Sequence, residues 1–395
     1  YAGLRSPFGR PAGKLAAVRP DALAAQIIAA LVGKAGLKPG EISDVLLGNV
    51  NQAGEDCRNV ARFAALLAGL PPTTPGATVN RLCASGLQAT LDAARAISCG
   101  EGELYIAGGV ESMSRAPYVM GKSESAYSRD VKMYDTTIGA RFMNPRFAKQ
   151  YGTHSMPETG DNVAKDFGVS RAQADEFALA SQQKYAKAEA EDFYKGEIHP
   201  IALPGKKKDA PPVMVELDEH PRRDASMESL AKLKPLFEGG VVTAGNASGV
   251  NDGAAALAIA NRRWGEKNGR KPMVRILSGA AAAVEPRIMG VGPAFAIPLA
   301  CERAGIKLSD LDIIEINEAF ASQVLACLAL LKLDFKDARV NPNGGAIAIG
   351  HPLGASGARL ALTVARQLER MNGRYAAVSL CIGVGQGLAI IIERV

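Results

Sequence analysis

The chain has 395 residues, a formal net charge of +6, and 47% hydrophobic, 22% charged and 5% aromatic residues. This length supports two core-forming units or one large doubled one, and no apolar run approaches the roughly 18 residues of a membrane helix. Sparse aromatics and modest charge argue against a nucleic-acid surface; the basic run Lys206–Lys208 reads as a solvated loop. Six scattered cysteines without a CxxC spacing, and four histidines without HExxH, fit free thiols in a reducing, cytoplasmic setting and argue against a metal site.

In chain order, residues 1–9 read as a strand already under way, so a few preceding residues are expected and a targeting segment stays open. Residues 36–52 (GLKPGEISDVLLGNVNQ) read as a helix end, a turn, a buried strand and polar residues at its end. In Asn80–Gly86 (NRLCASG), Cys83 stands before a helix carrying Leu87, Leu91, Ala94 and Ile97 at helical spacing, with Gly100 in the C′ place. A thiol at a helix N-terminus meets the positive end of the dipole, which is expected to lower its pKa from about 8.5 and favour the thiolate. Taken alone, such a cysteine is more often a buried structural residue.

Strand Tyr105–Val110 (YIAGGV) precedes an irregular segment, residues 116–240, that contains a helix near Arg171–Ala190. The segment reads equally as a specificity-bearing insertion or as a stabilising or oligomerising excursion. Strand Ile313–Ile316 then delivers Asn317 and Glu318 to its C-terminal end, where open α/β sheets bind ligands. Asn317 fits a holder of a catalytic water, or a turn amide. The Gly-dense run Asn341–Gly354 ends on His351 between Gly350 and Pro352; a rigid bend can aim a neutral imidazole to accept a thiol proton, although alone it reads as a surface turn. After Gly354 a helix carries Leu360, Val364 and Leu368. In Cys381–Gly387 (CIGVGQG) a strand ends in alternating glycines. A phosphate loop would need a helix where strand Leu388–Ile392 follows. The backbone N–H of Gly383 can instead hold an oxyanion; a plain hairpin is the alternative.

Three stretches repeat in the same order. Residue 36 corresponds to 305, 83 to 354 and 105 to 379, at separations of 269, 271 and 274 residues. The repetition predicts two homologous α/β halves, residues 1–115 and 241–395, with an inserted loop domain at 116–240. It also brings His351 to the same edge as Cys83.

NRLCASG, NEAF (Asn317–Phe320), NPNGGAIAIGHPLGASGAR and CIGVGQG, with GGVESMSRAP and TAGNASGVNDGAA, resemble the signatures of the thiolase superfamily along essentially the whole chain. NQAGEDCRNVAR, GGVESMSRAPYVMGK, YDTTIGARF and DEHPRRD look closest to its β-ketoadipyl-CoA branch. The resemblance implies a five-layer αβαβα fold, CoA thioester substrates, coenzyme A as co-substrate with no permanently bound cofactor, a ping-pong reaction, and a homodimer or homotetramer. It makes Cys83 the acylated nucleophile, His351 its base and Cys381 the acid/base at the substrate's α-carbon. Asn317 would hold a water at one oxyanion site, and the N–H groups of Cys83 and Gly383 would form the second. CoA contacts fall on Met156, Arg222, Phe237 and Ser248; in some relatives a histidine stands in the place of Ser155. Lys122, Arg141 and Arg146 are the candidates for a distal carboxylate. A general fatty-acid or biosynthetic acetoacetyl-CoA thiolase is the nearest alternative. A decarboxylating ketoacyl synthase would want a Cys-His-His set, a catalytically silent lipid carrier would lack these groups, and an oxidoreductase would want a GxGxxG.

Overall fold

The computed structural model describes residues 1–205, 207 and 210–395; Lys206 and Lys208 of the basic run lie outside them. The first sheet is built from β1 (Ala2–Arg5), β2 (Asp44–Gly48), β3 (Gly76–Val79) and β4 (Leu104–Ser112). Two short hairpins follow in the insert, β5 (Tyr118–Met120) with β6 (Met133–Asp135) and β7 (Ile201–Leu203) with β8 (Val213–Val215). Then β9 (Asp252–Ala260) returns to the first sheet, whose order is β1-β9-β4-β2-β3. The second sheet holds β10 (Val274–Ala283), β11 (Ile313–Ile316), β12 (Tyr375–Ile382) and β13 (Gln386–Arg394), in the order β10-β13-β12-β11.

Apolar faces stack these sheets into five layers. Helices Pro20–Lys34 and Val60–Leu67 cover the outer face of the first sheet through Leu23, Ile27, Leu31 and Ala64. Helices Ser85–Ser98 and Leu353–Met371 fill the middle layer, where Leu87, Leu91, Leu360 and Val364 meet Leu257 of one sheet and Ile390 of the other. Helices Gly292–Ala304 and Ala321–Leu331 close the far side with Ile297 and Leu328. The expected αβαβα arrangement is therefore present. Helix Arg171–Ala190 of the insert has the bounds read from the sequence.

The duplication holds with one change of register. In β2 and β4, Asp44 pairs with Tyr105; in β11 and β12, Ile313 pairs with Ala376. Because Asp44 and Ile313 are 269 residues apart, Tyr105 corresponds to Ala376, a shift of 271 rather than 274, and Cys381 falls opposite Val110 instead of Ala107. The boundary between insert and second half also differs from the expected residue 240: β9 pairs with β1 and β4, so residues 252–260 complete the first sheet.

Glycines set how closely the central helices approach. A Cβ on Gly86 would meet the Gly354 carbonyl oxygen, and one on Gly357 the backbone of Leu87. Both helix N-termini are thereby drawn to the same end of the molecule.

The insert is clamped by a buried ion cluster. Arg5, fully buried, donates to Glu197 at 2.6 Å and to both oxygens of Asp218 at 2.7 and 2.9 Å, and its guanidinium lies over the Phe8 and Tyr194 rings. Tyr185 donates to Asp218 and Thr363 to Glu197. Removing the cation strands two buried carboxylates. Arg5→Ala is expected to cost about 3–5 kcal/mol in denaturant unfolding, with Arg5→Lys recovering part of it, because the ammonium restores charge without the two-pronged geometry.

Candidate active site

The Cys83 turn is held by its neighbours. Ser85 accepts from the Arg81 N–H at 2.9 Å and donates to the Leu82 carbonyl at 2.6 Å, while Leu82 N–H binds Asn80 at 2.9 Å. This locks Leu82 in the left-handed region, at φ +46°, and sets Cys83 at the mouth of the helix beginning at Ser85. Cys83 is half-buried, and Gly383 lies against Leu82 of the same turn. The expected depressed pKa is not what the surroundings produce. Burial pushes the Cys83 thiol up to about 11, against the smaller downward pull of the Gly383 and Cys83 N–H groups, and the Glu111 carboxylate adds to the rise.

His351 is buried and neutral. Burial, with the Arg359 charge adding to it, lowers its pKa to about 3. Its N–H donates to Asn251 at 2.9 Å, and its ring Nδ1 lies 2.6 Å from Ser356 Oγ. Ser356 spends its one proton on the Pro352 carbonyl at 2.9 Å, so it accepts from Nδ1–H. That assignment leaves Nε2 unprotonated, its lone pair accepting from the Asn317 amide N–H at 3.4 Å. Asn317 is fully buried, its N–H bonded to the Ser379 carbonyl at 2.9 Å, and its side-chain oxygen has no donor among the described residues.

Cys381 lies fully buried near the end of β12, and burial, then the neighbouring Cys83, holds its thiol well above the usual range. It packs with Met289, Phe320, Ala319 and Met156. The structure thus sets Cys381 near Cys83 and Asn317 against His351, with Cys83 and His351 ahead of two helices whose starts touch at Gly86 and Gly354. The arrangement can take a proton from one thiol at a neutral imidazole while keeping a second thiol protonated.

The remaining sequence candidates divide. Met156 touches this cluster, and Ser248 donates its N–H to the Ala319 carbonyl at 2.9 Å. Arg222 and Phe237 are exposed and stand outside the buried group; only the Arg222 backbone is tied inward, to Gln182 at 2.9 Å. Lys122 and Arg146 are exposed and Arg141 is half-buried, all three in the insert.

Three supporting residues, Glu111, Ser356 and Asn251, escape a reading of the sequence, as do the partners of Glu318. Glu111, near the end of the wholly buried β4, accepts from Val50 N–H, Asn51 N–H and Gly354 N–H at 2.9–3.0 Å and from the Asn49 amide at 3.3 Å. Burial raises its pKa to about 7 against those donors. Glu318 accepts from Ser181 at 2.6 Å, Asn341 at 2.9 Å and Ile347 N–H at 3.1 Å, tying the Asn317 loop to the His351 loop and the insert. Ser356 fixes the imidazole through Nδ1, and Asn251 holds the His351 backbone N–H. The available signal is a charge closing an apolar strand in GGVES; Ser356 and Asn251 carry none.

Residues 2–263 match the family described as Thiolase, N-terminal domain, and residues 270–394 match Thiolase, C-terminal domain. The chain belongs to the thiolase family, whose members are acyltransferases. It is 56% identical over 394 residues to a "Beta-ketoadipyl-CoA thiolase" of Pseudomonas aeruginosa, covering 99% of this chain and 98% of that one. It is 55% identical over 397 residues to the "3-oxoadipyl-CoA/3-oxo-5,6-dehydrosuberyl-CoA thiolase" of Escherichia coli, with 100% and 98% covered. Among solved structures it resembles human mitochondrial 3-ketoacyl-CoA thiolase in complex with CoA, with TM-score 0.91, 38% identity, and 100% and 97% covered.

A thiol held near 11 gives a clear signature. Alkylation of Cys83 in the resting enzyme is expected to accelerate steadily from about pH 7 to about pH 9. A plateau at neutral pH in mass-resolved iodoacetamide kinetics would contradict the dominance of burial.

Proposed function

We propose that the chain cleaves 3-oxoadipyl-CoA with CoA, giving acetyl-CoA and succinyl-CoA. The observation that carries the substrate is the full-length identity to relatives named for it, 56% and 55% in the two cases above. The chemistry follows from two buried thiols beside one neutral imidazole.

Cys83 Sγ attacks the C3 ketone as its proton passes to His351 Nε2. The oxyanion is stabilised at the N–H groups of Cys83 and Gly383, or on the side of Asn317, where His351 Nε2–H becomes a donor once it holds the Cys83 proton. Collapse restores a carbonyl as the Cys83 thioester and breaks C2–C3. The electron pair leaves with the acetyl-CoA unit, and Cys381 gives C2 its proton. CoA then attacks the acyl-Cys83 carbonyl, its thiol proton returning to Cys381, while His351 reprotonates the departing Cys83. A thiol that stays protonated is what an α-carbon acid requires, and burial of Cys381 supplies it.

CoA is the second substrate. Its contacts would be Met156, which packs with the Cys381 cluster, Ser248, bonded to Ala319, and the exposed Arg222 and Phe237. In the insert, Lys122, Arg141 and Arg146 are the cations available for the distal carboxylate. We take residues 116–240 as the specificity-bearing segment, inserted before β9 completes the first half, and the assembly as a homodimer or homotetramer. Neutral-chain 3-ketoacyl-CoA cleavage is the second reading, favoured by the similarity to the human enzyme.

CoA-dependent thiolysis of 3-oxoadipyl-CoA is expected to exceed that of 3-ketohexanoyl-CoA in kcat/KM by about tenfold or more; equal rates would favour the neutral reading. Cys83→Ser is expected to abolish the acyl-enzyme seen by intact mass. A labelled thioester persisting in that variant would remove Cys83 from its role.

A further inference from the structure

Three non-glycine residues around the site have left-handed backbone: Leu82 at φ +46°, Asn341 at +44° and Val384 at +65°. Two of them have local reasons. Leu82 is held by the Ser85 and Asn80 bonds and packs against the central core. Asn341 places its amide between Ile316 N–H at 2.9 Å, the Ile316 carbonyl at 2.9 Å and Glu318 at 2.9 Å, and asparagine tolerates this conformation.

Val384 has neither. A β-branched side chain in this region is a genuine outlier. Gly383, Gly385 and Gly387 surround it, so glycine would be the unstrained choice. Its side chain belongs to none of the buried clusters among the described residues and is 51% exposed, while Cys381–Gly383 and Gly385 are buried. The turn cannot relax around it. The Gly385 carbonyl accepts from Val284 N–H at 2.8 Å, a Cβ on Gly385 would strike the Val284 carbonyl, and Arg81 grips Gln386 at 3.1 Å. The strained side chain sits one residue beyond Gly383, where a Cβ would stand 3.3 Å from Leu82 Cδ1 of the Cys83 turn and 3.9 Å from Met156 Sδ.

We propose that Val384 is a specificity residue whose isopropyl group packs against the methylene segment of the acyl group carried by Cys83. The proposal rests on the thiolase reading above and extends it to chain length. An acetyl group on Cys83 has no methylene and gains nothing from Val384; succinyl and butyryl groups do.

The test compares the wild-type enzyme with Val384→Gly and Val384→Ala on acetoacetyl-CoA, 3-ketohexanoyl-CoA and 3-oxoadipyl-CoA. Val384→Gly is expected to lower the kcat/KM ratio of either longer substrate to acetoacetyl-CoA by about tenfold, with Val384→Ala in the same direction and smaller. Its melting temperature is expected to hold or rise, since strain is released. A ratio shift of less than about twofold overturns the proposal, whether the rates stay put or fall together; so does a loss of oligomer mass with the ratio unchanged. If the wild type fails on 3-oxoadipyl-CoA, the substrate reading fails, yet the ratio of 3-ketohexanoyl- to acetoacetyl-CoA still decides the role of Val384.

Discussion

One carboxylate joins the two halves where their chemistry meets. Glu111 takes backbone N–H groups from the 50–51 turn of the first half and from Gly354 at the start of the second half's central helix. A buried carboxylate is tolerable only when its lone pairs are filled, and here the Asn49 amide completes the set of donors that fill them. The Gly86 and Gly354 contact brings the helices close enough for this bridge. His351 and Cys83 precede those same two helices, so the spacing between base and nucleophile depends on a bond that neither of them makes.

Electrostatics at the site follow from dryness more than from the helix dipole. The middle layer is packed from both sheets, and this low-dielectric setting disfavours every charge. It neutralises His351, keeps Cys381 protonated and holds Cys83 as a thiol. A resting thiol beside a neutral imidazole is a different starting point from a preformed ion pair. Charge then develops only when substrate arrives, and the donors proposed to meet it are backbone N–H groups fixed in advance.

Much of this was legible in the sequence because the chain repeats itself. The α/β alternation, the two central helices and the nearness of His351 to Cys83 follow from motifs that recur at nearly constant separation, while Asn317 and Cys381 join them through the resemblance to the thiolase signatures. The 274-residue match was misleading because YIAGGV and SLCIGV are both apolar strands, and period-two patterning alone cannot fix register to within a few residues. The return of β9 to the first sheet was hidden for a similar reason. Its Ala-rich run fits either sheet, and only the pairing with β1 and β4 decides. The thiol's raised pKa was beyond the sequence, since it depends on how many layers cover the sulfur. Ser356 and Asn251 fall inside quoted motifs, but their bonds to His351 are set by the fold and carry no sequence signal.

The place of β9 in the first sheet also bears on how the chain is made. It lies between β1 and β4, so neither can complete its pairing until residues 252–260 have been synthesised. At about 5–20 residues per second, the stretch from Ser112 to Asp252 takes on the order of 7–28 s to emerge. Throughout that interval the long apolar strand β4 waits with one edge open. The nascent chain is therefore most exposed to mispairing in mid-synthesis, and shielding that edge is the service a ribosome-associated chaperone would render.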